Sequence, residues 1–196
     1  ESGREHVSMR VLFFSDLHLH AWEDFNSILP SGESSRLQDL LDVLLRIPAL
    51  YQKYNCSVVV FCGDMFHHPR SIITRVYQQG YAALEQLANN VEQLILVAGN
   101  HDMALFQNQR ATSLYPLKNL PNTKNILELE ELHLQTNGKG YQVILHAVPY
   151  TENKEQTQTN INAIKKRIPI VGGLSHILIS HCGLTEAAIG PNEIKI

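Results

Sequence analysis

The apolar residues of this chain fall into short blocks separated by polar, glycine-bearing segments. Arg10 to Ser15 predicts a short buried strand, and Ser57 to Cys62 and Gln93 to Ala98 predict two more. Between the first two, leucines at 37, 40, 41, 44 and 45 follow the helical i, i+3, i+4, i+7 spacing, which predicts a helix over Ser34 to Tyr54. Ser34 or Ser35 can cap it, and Pro48 implies a break or kink near Ile47. A second helix is predicted over Ile72 to Asn90, with Val76, Leu84, Leu87 and Ala88 facing inward.

The pattern weakens from Ala104 to Asn125, where Pro116 and Pro121 mark irregular structure. Asn125 to Glu130 and Leu132 to Gln135 read as short strands. Asn137-Gly138 is a hairpin dipeptide leading into a strand over Tyr141 to His146. Thr157 to Arg167 predicts a helix closed by Pro169 and Gly172-Gly173, and His176 to Ser180 a last strand. The alternation of strand and helix implies one α/β domain, a mainly parallel sheet covered by helices.

Composition narrows the class. With 196 residues, 44% of them hydrophobic, the chain can bury a core of its own. The longest apolar runs, Val58 to Cys62 and Leu94 to Ala98, fall far short of the ~18 residues a membrane helix needs, so no membrane partner is expected. Cys56, Cys62 and Cys182 are odd in number and lack metal-ligand spacing. Buried free thiols in a reducing compartment, cytoplasm or nucleus, are expected. Glu1 to Ser8 precede the first methionine, Met9, without a signal peptide's apolar core, and read as a leader or remnant ahead of a domain over 9–196. Sixteen Lys and Arg against 19 Asp and Glu give a net charge of −3, too acidic to coat nucleic acid by bulk charge. A nuclease whose positive charge comes from metal ions remains compatible.

The candidate chemistry sits where strands end. Four predicted strands finish alike, with an apolar run, a small residue, then Asp, His or Asn. They lead into Asp16-Leu17-His18, Gly63-Asp64, Gly99-Asn100-His101-Asp102 and Ser180-His181. Taken singly, each is an ordinary turn or capping residue. Four in succession are not, because ligands of open α/β sheets bind outside the carboxyl ends of the strands. Carboxylates, imidazoles and an amide oxygen form a ligand set for ions such as Mn, Fe or Zn.

In this order and spacing, Asp16 and His18, Gly63-Asp64, Gly99-Asn100-His101-Asp102 and His181 resemble the calcineurin-like metallophosphoesterases, from about Val11 to Gly183. The resemblance implies a four-layer α-β-β-α sandwich whose strand-end loops form a dinuclear metal site. It assigns Asp16 and His18 to one ion, Asp64 as the bridge, and Asn100 and His181 to the other. His101 would protonate the leaving oxygen, with Asp102 holding its ring. The implied cofactors are two divalent ions, manganese first, with iron, zinc and magnesium as alternatives. The family's final Gly-His-x-His is represented here only by His181, since Cys182 to Ile196 contain no histidine. The expectation is therefore a domain truncated before its last metal motif, or a degenerate member. His146 is the nearest spare imidazole, although a strand-end histidine with a backbone partner is the favoured reading.

Gly63 to Pro69, with Asp16 to Leu19 and Val148-Pro149-Tyr150, resemble the SbcD-type DNA-repair exonuclease branch, partner of an SMC-like coiled-coil ATPase. There His67 would position phosphate, while His20 and His68 read as loop residues. The expected function is phosphodiester hydrolysis in DNA, with an SMC-like subunit and a homodimer as further expected partners. The alternatives are a phosphatase or small-nucleotide phosphodiesterase on the same fold, and a metal-poor scaffold subunit. Basic residues near the motifs are sparse: Arg70, Arg75 and Arg110.

Overall fold

The computed structural model describes residues 9–106, 109–135, 142–168 and 174–182. In chain order it forms β1 (Val11–Phe14), α1 (Ser35–Lys53), β2 (Val58–Phe61), α2 (Thr74–Asn89), β3 (Leu94–Val97), β4 (Met103–Phe106), β5 (Gln109–Thr112), β6 (Thr123–Ile126), β7 (Glu130–Gln135), β8 (Gln142–Val148), α3 (Lys154–Arg167) and β9 (Ser175–Ser180). Residues 1–8, expected as a leader, Asn137-Gly138, expected as a hairpin dipeptide, Pro169 and Gly172-Gly173, expected to close a helix, and Gly183 lie outside the described residues.

Strands β1, β2, β3 and β6 pair in parallel, in that order. A second sheet has the order β7-β8-β9, antiparallel between β7 and β8 and parallel between β8 and β9. The unbroken apolar run of β2 follows from burial on both faces. Val59 and Phe61 join a core with Leu41 and Leu44 of α1 and Leu84 and Leu87 of α2. Val58 and Val60 join a second core with Leu132, Leu134, Val143, Leu145 and Ile179 of the other sheet. On the far side, α3 packs on β8 and buries Ile161 and Ile164. The result is the expected four-layer sandwich rather than the single covered sheet that the periodicity alone implies. Among the described residues, no helix is long and apolar enough to cross a membrane.

Three local expectations change. Ser34, not Ser35, caps α1, its Oγ accepting from the Leu37 amide at 3.3 Å. The helix continues through Pro48, so the expected break does not occur. One missing N–H is tolerated because Leu37, Leu41, Leu44, Ile47 and Tyr51 stay buried on both sides of it. The weak segment after Ala104 holds a hairpin, β4-β5, with Met103 opposite Thr112.

Candidate metal centre

Backbone pairing continues past the ends of β1 and β2 and carries the first ligand candidates with it. Asp16, His18 and Leu19 donate from their amides to the carbonyls of Gly63, Asp64 and Met65. Leu17, Leu19, Met65 and Phe66 anchor these loops in the core, which turns the intervening polar side chains to the crevice. The cost is conformational. Asp16, His18 and Asp64 have φ of 56°, 45° and 66°, left-handed values that side-chain-bearing residues rarely adopt. Such strain persists where surrounding structure enforces it, and functional sites collect it.

Two sets of side chains meet at Asp64, which is 3% exposed. In the first, His18 Nε2 lies 3.8 Å from Asp16 Oδ1 and 3.5 Å from Asp64 Oδ2. In the second, His181 Nε2 lies 3.2 Å from Asp64 Oδ2 and 3.0 Å from Asn100 Oδ1. Asp64 Oδ1 accepts from the His101 amide at 2.8 Å, which fixes the carboxylate between them. Asp16, at 58% side-chain exposure, opens the crevice to solvent. The structure thus brings together Asp16, His18, Asp64, Asn100 and His181, with Asp64 common to both sets.

This geometry fits divalent cations. Asp16, His18 and Asp64 hold their ligand atoms within 4.8 Å of one another. The spacing from His18 to the carboxylates is long for hydrogen bonds but short enough for a shared cation. The buried His18 Nδ1 has no hydrogen-bond partner among the described residues. Burial pushes the His18 ring below its ordinary value, despite the opposing charge of Asp64, and so favours the neutral form a metal requires. Burial raises the Asp64 carboxyl, but hydrogen bonds from His181 and the His101 amide outweigh it and hold the group below the usual range. Burial also opposes charge on His181. Its bonds to Asp64 and the Cys62 carbonyl prevail and push the ring up to about 9.

The catalytic candidates separate. His101 and His67 flank the ligands, their rings stacked 5.3 Å apart and 4.7 and 5.6 Å from His18. The expected bond from Asp102 to the His101 ring is not what holds that ring. The Asp102 carboxylate accepts from the amides of Asp64, Met65 and Gly99 at 2.8, 2.9 and 3.0 Å, at zero exposure. It is a brace for the Gly63-Asp64 and Gly99-Asn100 loops, whose three inward-pointing amides require an acceptor. His101 Nδ1 faces the His67 carbonyl instead. A carbonyl can only accept, so the proton sits on Nδ1 and Nε2 is left to act.

Other candidates fall elsewhere. His146 is buried, bonded to His176 at 2.9 Å and 3.5 Å from Glu131, so it is satisfied by side chains rather than by the expected backbone partner. Arg75 pairs with Glu33, and Arg110 donates to Thr151 Oγ1 at 2.9 Å. His20 lies in a loop, as the sequence implies, and there its ring joins an aromatic group with Trp22, His67 and His68. Trp22 escaped the motif reading, although it is the only tryptophan and follows Asp16 in the same loop.

Comparison with known proteins identifies the family. The family described as calcineurin-like phosphoesterase matches residues 9–195. No curated protein matches the chain. A solved structure titled as the structural and biochemical characterization of Yfce, a phosphoesterase from E. coli, is similar at 14% identity, with a TM-score of 0.39, covering 87% of this chain and 78% of that one.

Proposed function

Because this chain belongs to the calcineurin-like phosphoesterase family, and is on that ground a metal-dependent phosphoester hydrolase, we propose that it cleaves phosphodiester bonds in DNA. The observation that carries the reading is the sharing of Asp64 between two ligand sets, with His101 beside them. When bound, two divalent cations would clamp the phosphoryl oxygens and activate the attacking water. Asp16 and His18 would hold one, Asn100 and His181 the other, and Asp64 both. The chain's own acid is His101. The His67 carbonyl fixes its ring through Nδ1, and a protonated Nε2 donates to the departing oxygen. A nucleotide alkoxide leaves poorly without that proton, which favours a diester with such a leaving group. The crevice is open at Asp16, as a polymer requires. The manganese preference, the repair-exonuclease branch and its SMC-like partner belong to the same proposal, on the motifs around Asp16, Gly63 and Val148.

The test is release of nucleotides from end-labelled linear DNA by protein stripped with chelator and reloaded with manganese. Release that is lost in His101→Ala is expected. Turnover confined to small phosphate esters would overturn the DNA reading in favour of a phosphatase. Failure to retain any metal would favour a scaffold.

A further inference from the structure

Beyond the metal ligands, the loops after β1 and β2 build a row of π-systems that phosphate chemistry does not need. The His67 ring is 5.3 Å from His101 on one side and 4.3 Å from the Trp22 ring on the other, tilted by 52°. His20 meets Trp22 edge-on at 5.2 Å and 84°. The Arg36 guanidinium lies 5.0 Å over the indole and is itself held by a 2.8 Å bond to the Asp24 carbonyl. The indole is half-buried, fixed in place and one ring removed from the candidate acid. None of its ring contacts among the described residues is a parallel stack.

We propose that Trp22 is a nucleobase-stacking platform, which seats the base of the nucleotide next to the scissile phosphate. The inference rests on the phosphodiesterase reading above and names how that site recognises nucleic acid. A net charge of −3 leaves little bulk attraction for a phosphate backbone away from the metal centre, where Arg75 is paired with Glu33, so base stacking adds the binding that charge does not. A flat indole accepts any base, which predicts weak sequence preference. A plain phosphatase has no use for it.

The experiment measures binding of a dye-labelled, phosphorothioate-linked oligothymidylate to the manganese-loaded protein, against an abasic strand of equal length. The base-bearing strand should bind at least about 10-fold tighter. Trp22→Ala should weaken it on the order of 10- to 100-fold, and Trp22→Phe should restore most of the loss. The restored variant shows that the alanine effect is not misfolding. As the only tryptophan, Trp22 also reports directly, and its fluorescence should change saturably with the base-bearing strand alone. Equal binding of the two strands, binding by neither, or an unchanged Trp22→Ala overturns the platform. If the protein cleaves DNA but Trp22 variants bind normally, only the platform falls. If binding depends on Trp22 while DNA is not cleaved, the nuclease reading falls and the platform stands.

Discussion

The Nε2 atom of His181 stands 3.2 Å from Oδ2 of Asp64, tying the end of β9 to the end of β2. The approach depends on Gly63, since a Cβ there would sit 2.4 Å from His181 Nδ1. Nδ1 of the same ring is 3.0 Å from the Cys62 carbonyl, and Nε2 is also 3.0 Å from Asn100 Oδ1. Every partner of the ring among the described residues is an acceptor, so in the metal-free protein both nitrogens carry protons. Positive charge is thus required at this point of the fold, from a proton when no cation is bound.

That requirement sets a pH dependence. The His181 value of about 9 lies above its ordinary 6.5, so its attraction to Asp64 stabilises the metal-free protein fully below about 6.5. The contribution is lost as pH rises through about 9. The melting temperature of chelator-treated protein should therefore fall on the order of 5 °C across that interval, while His181→Gln stays flat. A divalent cation held by His181 would displace the Nε2 proton, so manganese affinity should rise over the same range, with proton release measurable by calorimetry in buffers of different ionisation enthalpy. Equal melting profiles for the two proteins would refute the assignment.

Asp64→Asn should empty both halves of the centre. An amide keeps an oxygen for the His101 amide but loses the charge that both sets share. Metal affinity should drop by more than the roughly 10- to 100-fold typical of losing an outer partner. Metal analysis should find neither ion retained, in a protein that still folds. Retention of one ion at full strength would show that Asp64 serves only one set.

Much of this candidate centre is visible in the chain because each candidate ligand follows a predicted strand, and strand ends converge in parallel sheets. Local pattern brings Asp16, His18, Asp64, Asn100 and His181 to strand ends, and the family resemblance singles them out as the ligand set. The role of Asp102 is not visible there, because two of its donors lie 37 and 38 residues away in another loop. Trp22 was missed for a related reason. Its contacts to His67 and Arg36 arise only when separate loops fold together. The helix through Pro48 shows tertiary burial overriding a local breaker.

Asp102 and His101, adjacent in sequence, should fail in opposite ways. Asp102→Asn turns an amide group towards backbone N–H donors and should cost about 2–4 kcal/mol of stability. For a domain of this size that is on the order of 10 °C in melting temperature. His101→Ala removes a partly exposed ring and should melt near the parent while losing roughly 100-fold or more in turnover. Denaturation and steady-state kinetics on the two variants check this. A stable, inactive Asp102→Asn would return Asp102 to the role of ring-holder.

Gly99→Ala tests whether the two glycines before the ligands are there for space or for turn formation. A Cβ at 99 would lie 2.2 Å from Asp64 Oδ1 and 2.5 Å from its amide nitrogen, and backbone on that side is held by Asp102. The loop cannot yield without moving Asp64 itself. Stability should fall by about 1–3 kcal/mol or more, and metal affinity should fall with it. Gly32→Ala is the contrast, since φ there is +81° but nothing lies within 4 Å. It should cost only about 1 kcal/mol from backbone strain and leave metal binding intact. Equal metal binding in both variants would mean that Gly99 is an ordinary turn glycine and that Asp64 has room to move.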